Sequence, residues 1–354
     1  MSLKEVGLLF SFRNPEYNRR PWDEFYKSEL DLTVYAEELG YDEVWLTEHH
    51  FIEDGYSPSL FVIGGAIAAR TQKIRIGTYI VLMPLHDPVF VAEDSAAIDI
   101  ISGGRFDLGL GLGYRPGEFT GLGIPMKERG ARLEESAPLI RELFAGGEVN
   151  HEGAFYTAKN VTLTPPPIQK DGPPIWIAAR ADKAIDRVAR LGFHLAGIGA
   201  PEHQACYVDA LKRHGRDPKD YKMAQLVTGF CAPDTQTAWD RCADGLNHML
   251  SYYLKWGIES GDITGEGGWD TDNMVPSPDQ IRQNRQADFF GQSPYVGTPD
   301  EVYEGLVEYL AQAPDGAPIT HLVVMMDMPG VKPEHSRESM KLFAEDVMPR
   351  LRNR

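Results

Sequence analysis

From Glu5 onward the chain alternates short apolar runs with stretches of helical spacing, and that alternation limits its fold more than any other feature. The apolar runs are Glu5–Phe10, Val44–Thr47, Ile74–Leu82, Phe106–Leu112, Ile175–Ala179, His194–Ile198, Met223–Phe230 and His321–Met326. Helical patterns separate most of them, among them Phe25–Leu39, Phe61–Arg70, Val89–Ile101, Arg132–Phe144, Lys183–Leu191 and Glu301–Leu310. Parallel strands need a crossover between them, so strands that alternate with helices predict a parallel sheet. Eight such units close more readily than they form an open sheet. The expectation is an α/β chain folded as a (β/α)8 TIM barrel, one domain over 1–354, with insertions after strand 4 and between strands 7 and 8. In the first insertion, Val149–Gly153 and Val161–Leu163 suggest a hairpin. The second, 247–296, is irregular in composition around Gly265-Glu266-Gly267-Gly268-Trp269. Its Tyr252, Tyr253, Trp256 and Trp269 predict a lid that packs on the barrel, because disordered segments are poor in aromatic residues.

Composition removes several function classes. A net charge of -17 over 354 residues opposes a nucleic-acid backbone or an anionic membrane as partner. The apolar run in Met1–Phe12 is too short for a signal peptide, and no later stretch is long and uncharged enough to span a bilayer. Three cysteines, without a CxxC pair, imply reduced thiols and a cytoplasmic protein.

Chemistry gathers where the second strand ends. Val44–Thr47 runs into Glu48, His49, His50 and Phe51, and α/β proteins place their sites beyond strand C-termini. Two readings stand for these residues: a catalytic group, or histidines satisfied within the structure. Neighbouring strand residues face opposite ways, which disfavours one metal held by both histidines; HExxH spacing is absent, and no metal is expected. In the fourth strand, Gly111 and Gly113 clear side chains from the strand end, either for a flat ring or for close helix packing. Tyr114 breaks the dinucleotide pattern GxGxxG. After Ile175–Ala179, Arg180 precedes a helix start at Ala181-Asp182-Lys183-Ala184, an arrangement suited to an anion.

Five segments together resemble the bacterial luciferase-like flavin monooxygenases. They are Asp42–Phe51 (DEVWLTEHHF), Gly77–Pro84 with His86 and Pro88, Ala92–Asp94, Gly104-Arg105-Phe106 with the glycine-rich strand, and Val296-Gly297-Thr298-Pro299. The resemblance implies a barrel that binds reduced FMN at its C-terminal face and reacts it with dioxygen. It makes His49 the catalytic histidine, a general base or hydrogen-bond partner beside the flavin, with Glu48 adjacent. It further implies a non-prolyl cis bond at Tyr79–Ile80, cofactor contacts along Gly111, Gly113 and Tyr114, and a phosphate site at Arg180, Ala181 and Lys183 that Arg129 or Arg132 reaches. A separate flavin reductase would supply electrons, and helices near strands 2 and 3, Phe61–Arg70 among them, would form a homodimer. Phe10, Phe12, Tyr79 and Phe119, taken as an aromatic entrance, suggest a small, largely apolar substrate. The chain also departs from the family. Gly111 replaces luciferase's reactive cysteine, Leu112 its flavin-contacting arginine, and Ala181 and Ala184 the usual phosphate-binding hydroxyls, so light emission is not expected. Two alternatives remain open: a deazaflavin-dependent hydride-transfer enzyme on the same barrel, and a flavin-binding protein without turnover.

Overall fold

The computed structural model describes residues 3–198, 202–261, 275–288, 292–313 and 319–353. Its strands β1 (Glu5–Phe10), β2 (Glu43–Leu46), β3 (Arg75–Thr78), β4 (Phe106–Gly111), β5 (Ile175–Ala179), β6 (His194–Ile198), β7 (Met223–Cys231) and β8 (His321–Met325) pair in chain order. All are parallel, and β8 pairs with both β7 and β1, which closes the expected eight-stranded barrel. Strands covered by helices outside and by packed side chains inside read as continuous apolar runs. Val44, Trp45 and Leu46 of β2 are accordingly all fully buried.

The helices that matter for the site are α1 (Trp22–Glu38), α2 (Leu60–Arg70), α3 (Pro88–Ser102), α4 (Pro116–Gly121), α5 (Arg129–Ala145), α6 (Asp182–Leu191), α7 (Glu202–Arg213) and α8 (Thr235–Ser260). α3 shows how locally these are specified. Asp87 caps the amide of Val89, Pro88 takes the first turn, and Gly103 ends the helix in the left-handed region at φ 73.

Three expectations need correction. The third strand does not run from Ile74 to Leu82: it stops at Thr78, turns through a cis Tyr79–Ile80 bond, and Val81–Leu82 pairs with the end of β4 instead. The hairpin strands are Val149–Glu152 and Thr157–Val161, the second starting earlier than expected. Finally, Asn247–Ser260 is not irregular. It continues α8, which Asp234 caps at Thr237 N and Gly261 ends at φ 76. The helix holds because Leu246, Met249 and Trp256 are buried at helical spacing. The glycine-rich centre around Gly265–Trp269 lies outside the described residues.

The lower end of the barrel, where the strands begin, is closed by a polar and aromatic floor. Trp45 donates to Glu43 (2.9 Å), Trp176 donates to Asp107 (3.1 Å), and Arg75 Nε reaches Asp107 at 2.7 Å. His321 lies 3.4 Å from Glu43, and the Trp176 ring meets His194 and His321 at 5.0 and 4.9 Å. With the floor sealed, the opposite, C-terminal end is left for chemistry. Among the described residues no helix is long and apolar enough to cross a membrane.

Candidate active site

Segments leaving β1, β2 and β4 and the last turns of α8 converge on His49. The residue is 5% exposed, and its Nδ1 lies 2.8 Å from Glu118 Oε1. Tyr56 and Trp256 each approach the ring at 4.7 Å, Tyr114 at 5.6 Å and Tyr253 at 6.5 Å. Burial lowers the His49 pKa and outweighs the opposing pull of Glu118, so the ring is neutral at neutral pH. Burial alone would raise the Glu118 pKa; the hydrogen bond and charge of His49 and the His50 amide (2.9 Å) bring it below the usual carboxylate value. An ionised Glu118 accepts the Nδ1 proton and leaves the Nε2 lone pair of His49 available.

The fold places Glu118 there by local means. β4 ends at Gly111, Gly113 takes φ 70, and Pro116 starts the short helix α4 with Glu118 in its first turn. Arg115, just before it, donates to His50 O at 2.8 Å and to Glu118 at 3.3 Å. This fastens the loop after β4 to the loop after β2.

His49 and His50 do take different partners, as strand alternation anticipates. Glu48 Oε1 accepts from His50 (2.9 Å) and His86 (2.8 Å), while Oε2 accepts from the Leu82 amide (2.6 Å). Burial would raise the Glu48 pKa, but the two imidazoles hold it at about 2. Burial also opposes the charge on His86, yet Glu48 lifts its pKa above the ordinary value. The ligand atoms of Glu48, His50 and His86 lie within 4.8 Å of one another, so the cluster that forms excludes His49. The carboxylate beside the catalytic candidate is Glu118, not Glu48.

A second layer backs His49. Arg13 donates Nε to Asp54 at 2.6 Å, His248 of α8 reaches the same carboxylate oxygen at 2.8 Å, and Tyr56 and Tyr253 share a hydrogen bond of 2.9 Å. Sequence reasoning missed Glu118, Arg115, Arg13 and Asp54. The available signal was positional: Phe12-Arg13-Asn14-Pro15 follows β1 and Arg115-Pro116 follows β4, both at strand C-termini.

The expected cofactor residues fall into two groups. Arg180, Ala181 and Lys183 are exposed where β5 meets α6, and Ala181 caps that helix without a side-chain hydrogen bond. The N-cap residue thus offers the first-turn amides no side-chain acceptor, which suits a phosphate. At the strand ends the picture differs. Tyr79 donates its hydroxyl to Gly197 O inside the barrel, so that hydroxyl is engaged there. A Cβ on Gly111 would collide with the Ile80 side chain, so the space cleared there is taken by Ile80. Arg129 donates to Met126 O at 3.5 Å; Arg132 pairs with Glu128 at 3.0 Å and lies over Phe155. Phe10, Phe12 and Phe119 are at most 1% exposed and line no entrance.

Comparison with known proteins places the chain in a family. Residues 4–315 match the model of the luciferase-like monooxygenase family. The alkanal monooxygenase alpha chain of Photorhabdus laumondii is 25% identical, covering 99% of both chains. An F420-dependent glucose-6-phosphate dehydrogenase of Microbacterium testaceum is 30% identical over 92% of this chain and 93% of its own. The solved structure of the monooxygenase RslO1 from Streptomyces bottropensis superposes with a TM-score of 0.81 at 26% identity, covering 98% of this chain and 99% of that one.

Proposed function

Because the chain belongs to the luciferase-like monooxygenase family, we propose that it is an oxygenase that takes reduced FMN from a separate reductase and uses dioxygen to oxidise a small organic molecule. The observation that carries this reading is the buried His49–Glu118 pair at the C-terminal mouth, roofed by aromatic rings. The residues present suit a flavin. The uncapped start of α6 with Arg180 and Lys183 would take its phosphate, and the cis peptide at Tyr79–Ile80 with the Gly113–Tyr114 turn would border its ring. When bound there, a reduced flavin would supply two electrons for the reduction of dioxygen, one oxygen atom going to substrate and the other to water.

The chain's own residues would do the rest. His49 holds or accepts a proton at Nε2, Glu118 fixes its tautomer, and Glu48 positions the loop through His50, His86 and the Leu82 amide. Trp256, Tyr253 and Tyr56 would shield the imidazole from water. The exposed Val62 and Phe90, 75% and 67% accessible on the adjacent helices α2 and α3, support a homodimer through this face.

Deazaflavin-using relatives make the cofactor the first thing to test. Anaerobic titration with reduced FMN and with reduced F420 should show tight binding of FMN; binding of F420 alone would make the protein a hydride-transfer enzyme. In His49→Ala, flavin binding should persist while product formation falls by about 10²–10⁴-fold. An unchanged product yield would instead mark a flavin carrier.

A further inference from the structure

Around His49 lie polar atoms that the protein does not satisfy. Arg13 Nη2, Arg115 Nε, the Tyr114 hydroxyl and Glu118 Oε2 are all buried without a hydrogen-bond partner. Three of the four are donors. Buried donors normally find an acceptor, so a cluster of them points to something that arrives with oxygen atoms. Each arginine has a carboxylate, Arg13 with Asp54 and Arg115 with Glu118, but shares its acceptor oxygen with other donors, so hydrogen-bonding capacity is left over. The Asp54 oxygen that takes Arg13 also takes His248, and the Glu118 oxygen that takes Arg115 also takes His49 and the His50 amide.

The same guanidiniums flank a flat ring. Trp256 lies 5.9 Å from the Arg13 guanidinium and 4.7 Å from that of Arg115, and Tyr56 lies 4.7 Å from Arg13. Aromatic faces and unfilled donors therefore occur together on these residues. We propose, on the basis of the oxygenase reading, that the substrate is a flat conjugated acid, a carboxylate or ionised phenol on an aromatic ring. Its anionic oxygens accept from Arg115, Tyr114 and Arg13, and its ring sits among Tyr56, Tyr253 and Trp256. This replaces the largely apolar substrate expected from the sequence.

Two observations bear against the idea and are outweighed. The net charge of -17 repels anions at long range, but at physiological salt that field is screened over about 8 Å. Arg13 also walls a cavity of about 110 Å³ with Asn14, Glu29 and Asp327, where water can meet its donors. Arg115 and Tyr114 are not among the walls of that cavity, so their donors point to a ligand independently. Glu118 Oε2, the lone acceptor of the set, suits a hydroxyl or a water beside the anion.

The test is calorimetric and needs no turnover. The protein, with and without FMN, is titrated with 2-naphthoate and with its neutral isostere 2-naphthamide. Naphthoate should bind at least about tenfold more tightly, and Arg115→Met or Arg13→Met should remove that preference. Tyr114→Phe, which deletes one oxygen and preserves the ring, should weaken naphthoate severalfold and keeps the question open to test where an arginine variant fails to fold. Equal binding of the two probes overturns the proposal, as does a preference that survives in every variant. Failure of naphthoate to bind at its solubility limit overturns it too, and so does displacement of FMN by naphthoate, which would assign these donors to the cofactor. A clear preference for the anion without oxidation of any aromatic acid would uphold this inference and sink the oxygenase reading instead.

Discussion

At the scale of residues, the choice of Glu118 as the partner of His49 has a measurable signature. Glu118 raises the His49 pKa while burial lowers it, and burial wins. If neutral His49 is the working form, kcat/KM should climb with pH along a limb centred below 6.5. Glu118→Gln removes the charge that favours protonated His49, so the limb should move to still lower pH. The rate on the plateau should also fall by tenfold or more, roughly, as the tautomer is no longer fixed. A pH–rate profile of the two proteins checks both, and an unmoved limb would remove His49 from the proton chemistry. His49 was legible because a histidine at a strand end is conspicuous. Glu118 lies 69 positions away in a different loop, and nothing local in Arg115-Pro116-Gly117-Glu118 announces its partner. Gly111 was misjudged for a related reason: the sequence tells that a side chain is missing there, not that Ile80 fills the gap.

At the scale of elements, the barrel floor gives the fold a dependence on pH that is separate from the site. Burial, with help from Lys222, holds His194 at about 4 and His321 at about 3. The unfolded chain protonates both near 6.5, so their contribution to stability is complete above that value and is lost as pH falls toward 4 and 3. Glu43 has the opposite sign. Burial lifts its pKa well above the carboxylate range, so its contribution is present at acid pH and disappears as pH rises through its folded value. Thermal melts across a pH series should therefore show Tm falling below pH 6.5, with a shallower slope in His321→Gln. Glu43→Gln keeps an acceptor for Trp45 and should gain Tm at neutral pH. Identical slopes in all three proteins would contradict this account. The strand–helix order was readable because periodicity is local. α8 was harder: its helical spacing of Leu246, Met249, Tyr253 and Trp256 sits beside a glycine-rich run, and composition averaged over 247–296 hid the boundary at Gly261.

At the scale of the whole molecule, the family match covers residues 4–315 and the barrel closes as the alternation of elements demands. The same architecture leaves Val62, Phe90 and Ile101 exposed on one pair of helices, an apolar face unusual for an isolated chain. Phe90→Glu with Val62→Glu should convert a dimer to a monomer in light scattering, with a Tm that no longer rises with protein concentration. A wild-type monomer would refute the dimer. The roof of the site has one more consequence. Trp256 is 1% exposed and lies near the end of a helix of 26 residues, so a swing of that end would widen the way to His49. Such a swing drags against the surrounding liquid. Where opening limits the cycle, turnover should slow as glycerol thickens the buffer, and Trp256→Ala should make the enzyme indifferent to viscosity.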